Sequence, residues 1–163
     1  MADFTTGIEE LIRDDLAVFS HLTPKRKASV ILQDYRNSYY NSNKAAKAKT
    51  EEERDGYQFH RMRFYTKAQR ELSMLSPDEM PVYLATIERE MTKDLSSRLD
   101  YGKLLEKYTL YNSATFMLRD QEENGAVKPA AITVDPVSAV ALNRVVSILE
   151  QLRDKVYNIS LEK

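Results

Sequence analysis

Apolar residues recur along this chain at steps of three and four, and that spacing predicts helices almost from end to end. The first helix carries Ile8, Leu11, Ile12, Leu16 and Phe19 behind a cap at Thr5 or Thr6. Acids in its early turns suit the positive end of the helix dipole. The second opens at Thr23-Pro24, a cap followed by proline at the first helical position, where the missing N–H costs nothing. Its apolar face reads Ala28, Ile31, Leu32, Tyr35 and Tyr39. The Asn41-Ser42-Asn43 cluster weakens that helix, leaving 44–49 as either helix or solvated connection.

A third helix opens at Thr50 with Glu53 three residues on, the spacing of a capping box. It carries Tyr57, Phe64, Ala68, Leu72 and Leu75 and stops before Ser76-Pro77. The fourth begins there, with Asp78 and Glu79 in its first turn and Leu84, Ile87, Met91, Leu95 and Leu99 on its core face. The pattern continues past Gly102, a kink or a break, through Leu105, Tyr108 and Phe116. Between Asp120 and Thr133 it lapses into Gln-Glu-Glu-Asn-Gly and Lys-Pro, which read as a linker. Ile132-Thr133-Val134 is too short to count as a strand. Asp135-Pro136 then starts a last helix with Leu142, Val145, Leu149, Leu152, Val156 and Ile159 in alternating steps, widened by Val146 and Ile148. The expectation is an all-α bundle of about five helices. Its core domain covers 1–119, a linker 120–133 and a C-terminal helix 134–163.

Composition supports this class and narrows the chemistry. At 163 residues the chain fits one domain, and four Gly with five Pro leave few places to turn. Cysteine is absent, which removes disulfides, thiolate nucleophiles and sulfur-ligated metals. The start shows no basic region followed by an apolar core, and no apolar run approaches the ~18–20 residues of a membrane span. These readings point to a cytoplasmic, nuclear or virion compartment, neither secreted nor in a membrane.

Charge changes the picture most. Between Pro24 and Arg70 there are twelve Lys or Arg against five Asp or Glu, a local net of +7, while the rest of the chain carries −8. Seven of the fifteen aromatics share the basic stretch. Basic residues interleaved with aromatics can serve phosphates and stacked bases. On the third helix His60, Arg63, Lys67 and Arg70 span about 80°, set off by more than roughly 90° from the centre of its apolar face. On the second, Arg36, Tyr40, Lys44 and Lys47 make a similar stripe. Packed as a hairpin, the two stripes could clamp a polyanion; equally, they could be the solvated side of each helix. Arg61 falls among Tyr57, Phe64, Tyr65 and Leu72, where pairing with a carboxylate from another helix is the expectation.

The last helix shows heptad-like steps flanked by Arg144, Glu150, Arg153 and Asp154, so Leu142, Val145, Leu149, Leu152, Val156 and Ile159 form either a bundle seam or an oligomer seam. Neither His21 nor His60 has a partner at a recognisable active-site spacing. No Gly-rich phosphate loop, Gly-x-Ser-x-Gly elbow or Glu-x-x-His metal motif occurs. No enzyme, cofactor or metal is expected. The order of a basic helix and then Leu75-Ser76-Pro77-Asp78-Glu79-Met80 opening an acidic helix resembles the helical domain of GINS replication subunits. That likeness covers under half the chain, lacks the family's small β domain, and lends no residue a role. The functional expectation is a non-catalytic assembly subunit that self-associates and docks a polyanion, nucleic acid first, through the 24–70 hairpin. The alternative is a protein–protein adaptor or scaffold subunit whose partner is an acidic protein.

Overall fold

The computed structural model describes residues 4–95, 101–111 and 136–162. Among these residues the fold is all-α, with six helices and no strand: α1 Phe4–Phe19, α2 Pro24–Ala46, α3 Glu51–Ser73, α4 Met80–Leu95, α5 Tyr101–Tyr111 and α6 Pro136–Glu162. No described helix is long and apolar enough to cross a membrane. The chain divides into two compact units, Met1–Met74 and Leu75–Lys163. The stretch read as a linker, 120–133, lies outside the described residues, as do Leu99, Phe116, Ile132, Val134 and Asp135.

Local chemistry explains most helix boundaries. Thr23 has extended backbone and its hydroxyl accepts from the Arg26 N–H at 3.3 Å, with Pro24 next in the chain. The Thr50 hydroxyl accepts from Glu53 N–H at 3.1 Å, while the Glu53 carboxylate reaches back one residue further than a capping box requires, to the Lys49 N–H at 3.2 Å. A full capping box forms before α4. There Ser76 Oγ accepts from Glu79 N–H at 3.3 Å, and Glu79 Oε1 accepts from Ser76 N–H at 2.9 Å. Pro77–Glu79 form turn, and regular helix starts at Met80, four residues later than the cap. Three expectations change. Asp78 and Glu79 lie in the turn ahead of α4 rather than in its first helical turn. α1 already begins at Phe4, so Thr5 and Thr6 lie inside its first turn rather than capping it. Gly102 is not the break between the two helices: α4 ends at Leu95, and Gly102 lies within α5.

In the first unit α3 packs against both α1 and α2. α2 and α3 run antiparallel, and four pairings set their register. Lys44 Nζ lies 5.9 Å from the Tyr57 ring centroid, and Ser38 Oγ donates to the Arg61 carbonyl at 3.1 Å. Tyr35 and Tyr65 meet edge to face at 6.0 Å, and Lys67 meets Asp34. Ile8, Ile12, Phe19, Ala28, Ile31, Leu32, Tyr35, Ala45, Ala68 and Leu72 fill this unit's core. In the second unit α6 packs against α4 and α5. Its core holds Met80, Tyr83, Leu84, Ile87 and Met91 of α4, Leu104 and Tyr108 of α5, and Val145, Val146, Leu149 and Leu152 of α6. Polar contacts frame it: Arg144 Nε sits 3.2 Å from Glu88, Lys107 lies 3.5 Å from both Glu90 and Asp94, and the Tyr108 hydroxyl donates to Asp94.

Candidate polyanion-binding surface

α2 buries Lys27, Ala28, Ile31, Leu32, Asp34, Tyr35, Ser38 and Ala45. At 100° per residue this buried arc centres roughly 160° away from the arc holding Arg26, Gln33, Arg36, Tyr40, Lys44 and Lys47. The second group therefore springs from the back of the helix, although the Lys44 ammonium reaches round to within 5.9 Å of the Tyr57 ring centroid on α3. Arg26, Tyr40, Lys44 and Lys47 are exposed and Arg36 is half-buried. Asp34 is the sole carboxylate of α2, and it is buried. Every charge that α2 presents to solvent is therefore positive, over about 31 Å from Arg26 to Lys47.

Side-chain hydrogen bonds hold part of this line in place. Gln33 Oε1 accepts from Arg36 Nη1 at 2.9 Å, and Gln33 Nε2 donates to Asn37 Oδ1 at 3.1 Å. Tyr40 is 53% exposed in the middle of the arc, its ring centroid 6.4 Å from that of the half-buried Tyr39.

The matching stripe on α3 is not a free surface. Its centre lies roughly 110° from the buried side of α3, on the flank of the helix rather than its back. That flank is where α1 and the edge of α2 approach. Arg70 Nη2 meets Glu9 of α1 at 2.5 Å, with Nε donating to the same oxygen at 3.1 Å. Arg63 is half-buried with its guanidinium 5.8 Å from the Phe64 ring centroid. Lys67 is 12% exposed at its side chain, 2.7 Å from Asp34 Oδ2 and 3.1 Å from Glu71 Oε2. Of the four, only His60 is both exposed and, among the described residues, without an ion pair. The expectation of two parallel open stripes is thus corrected to one.

Lys67, Asp34 and Glu71 form a buried cluster that joins α2 to α3. Glu71 is fully buried, and neither of its oxygens makes a hydrogen bond of good geometry as a carboxylate. Burial, then the hydrogen bond to Asp34 and the charge of Asp34, push the Glu71 carboxyl up to about 9 against the opposing pull of Lys67. Burial and the neighbouring Asp34 thus favour the protonated form of Glu71. For Lys67, burial alone lowers the ammonium, but the bond and charge of Asp34, together with Glu71, outweigh it and leave it above its ordinary value.

Arg61 also differs from expectation. Its Nε donates to Gln58 Oε1 at 2.6 Å on its own helix, and its partner is an amide carbonyl rather than a carboxylate from elsewhere. The α6 seam is occupied within the chain: Val145, Leu149 and Leu152 are buried in the unit that α6 shares with α4 and α5, and Val156 is half-buried. The side chains of Leu142 and Ile159 lie outside the described ones. Among the described residues no three His, Asp or Glu side chains are grouped to hold a metal ion.

No known protein family, curated protein or solved structure matches this chain.

Proposed function

We propose that this protein is a non-catalytic helical module that docks a polyanion, nucleic acid first, along the back of α2. The observation that carries this reading is the charge asymmetry of that helix. Its one acid is withdrawn into the core and paired with Lys67, while Arg26, Arg36, Lys44 and the adjacent Lys47 line the opposite side. A solvated helix face ordinarily mixes both signs, whereas phosphate backbones attract Lys and Arg without needing sequence. The docking surface proposed from sequence, a clamp between two helices, is replaced by a single edge. Self-association draws no support from the α6 seam, since Val145, Leu149 and Leu152 are already covered within the chain.

The test is retention of labelled nucleic acid at 50 and 200 mM salt. Each phosphate contact adds about −0.7 to −0.9 to the slope of log affinity against log salt. Joint replacement Arg36→Glu, Lys44→Glu and Lys47→Glu is expected to abolish retention at 50 mM salt while the melting temperature moves by no more than a few degrees. Absence of any retention by the wild-type chain at 50 mM salt would overturn the reading and favour an adaptor whose basic edge meets an acidic protein.

A further inference from the structure

Resting on the docking surface above, we infer that its ligand is a single-stranded nucleic acid, with Tyr40 as the platform on which an unpaired base stacks. Three observations lead there. First, the cationic surface is one row wide. Arg26, Arg36, Lys44 and Lys47 fall within about 80° of helix circumference, with the Lys44 ammonium also 5.9 Å from the Tyr57 ring centroid, while on α3 Arg70 and Lys67 are paired with Glu9, Asp34 and Glu71 and Arg63 is half-buried against Phe64. A single line of positive charge follows one phosphate backbone, whereas a duplex offers two across a groove about 12 Å wide.

Second, the row has an aromatic ring at its centre. Tyr40 stands one turn from Arg36 and one turn from Lys44, about 6 Å along the axis in each direction. More than half of its surface is in water, which forgoes much of the burial a Tyr ring normally contributes. A ring face between two cations is of use to a ligand whose bases are unstacked, because base faces inside a duplex are already covered by their neighbours. Third, the site is partly ordered before anything binds. Tyr39 lies beside the Tyr40 ring at an interplanar angle of 48°, and Gln33 fixes the Arg36 guanidinium. Gln33 in turn is held by Asn37. The geometry asks for no particular base, so recognition would be sequence-tolerant and would depend on strand state.

The experiment measures fluorescence anisotropy with three probes at about 100 mM salt: a labelled oligo-dT, a blunt duplex of equal length, and inorganic polyphosphate as competitor. The full-length chain is compared with Tyr40→Ala and Tyr40→Phe. Expected is at least tenfold tighter binding of the single strand than of the duplex. Tyr40→Ala is expected to lose roughly 5- to 100-fold on oligo-dT. Tyr40→Phe should keep the affinity, and polyphosphate competition should be unchanged in both variants. Circular dichroism melting checks that these exposed substitutions leave the fold intact. Equal affinity for duplex and single strand, or a Tyr40→Ala variant that binds oligo-dT like wild type, overturns the stacking site while leaving polyanion docking standing. Failure of every probe to bind overturns both.

Discussion

Replacing Glu71 by Gln should stabilise the protein, and should do so more strongly the higher the pH. The Glu71 carboxyl ordinarily titrates at 4.5 and is held near 9 in the folded chain. The native state therefore binds a proton that the unfolded state releases across that whole window. Stability must then fall as pH rises from about 4.5 to about 9, by up to about 1.4 kcal/mol per unit. The amide introduced by Glu71→Gln would keep the shape and supply an N–H donor toward Asp34, but it has no proton to lose. Between pH 5.5 and 7.5 the advantage of Glu71→Gln over wild type should grow by roughly 3 kcal/mol, on the order of 10 °C in melting temperature for a domain of this size. The assay is urea and thermal unfolding of both proteins at pH 5.5, 6.5, 7.5 and 8.5, followed by circular dichroism. Subtracting one from the other cancels the many surface carboxylates that titrate alike. A difference that stays flat across this range, or a uniform loss of stability in Glu71→Gln, would mean that Glu71 is ionised and paired with Lys67, and would refute the reasoning.

Two further outcomes follow from the packing. Lys67→Met leaves the buried Asp34 without its ammonium partner, and should cost about 3–5 kcal/mol; urea midpoints within 1 kcal/mol of wild type would show that water reaches the cluster. Leu152→Ala opens a cavity in the unit that α6 shares with α4 and α5, and should cost about 2–5 kcal/mol while the mass by light scattering stays that of wild type. A drop in mass instead would place that side chain between copies of the chain.

Helix identity and most caps were legible because they depend on residues within one turn of each other. Thr23-Pro24 and Thr50 with Glu53 carry their boundaries in two to four letters, whereas α4 starts at Met80, later than the expected start at Ser76-Pro77. Core positions such as Ile31, Leu72, Ile87 and Leu149 were likewise visible in the period. The state of the α3 cations was not. Lys67 and Asp34 are 33 positions apart, and a helical wheel drawn for α3 alone shows one apolar side, although α3 is covered by both α1 and α2. The usable clue was Asp34 itself, an acid flush with the apolar face of α2 and beside Tyr35, which demands a buried partner. The α6 seam stayed open between two readings for a related reason: steps of three and four look the same whether the partner helix belongs to the same chain or to another. Arg61 was read correctly as needing a partner, but a neighbour at Gln58 satisfied it locally.

Both compact units are uninterrupted stretches of sequence, and this orders events as the chain leaves the ribosome. The first 74 residues contain every contact of the α1–α3 unit, with α2 and α3 joined across residues 47–50 alone, so this half closes early through short loops. The second half cannot. Its core needs Val145, Leu149 and Leu152, which are synthesised well after Leu84, Ile87 and Met91. At 5–20 residues per second, the interval between the end of α4 at Leu95 and the end of α6 at Glu162 is about 3–13 s. For those seconds the apolar sides of α4 and α5 lack the helix that covers them, which makes this the period in which the nascent chain is open to chaperones and to aggregation.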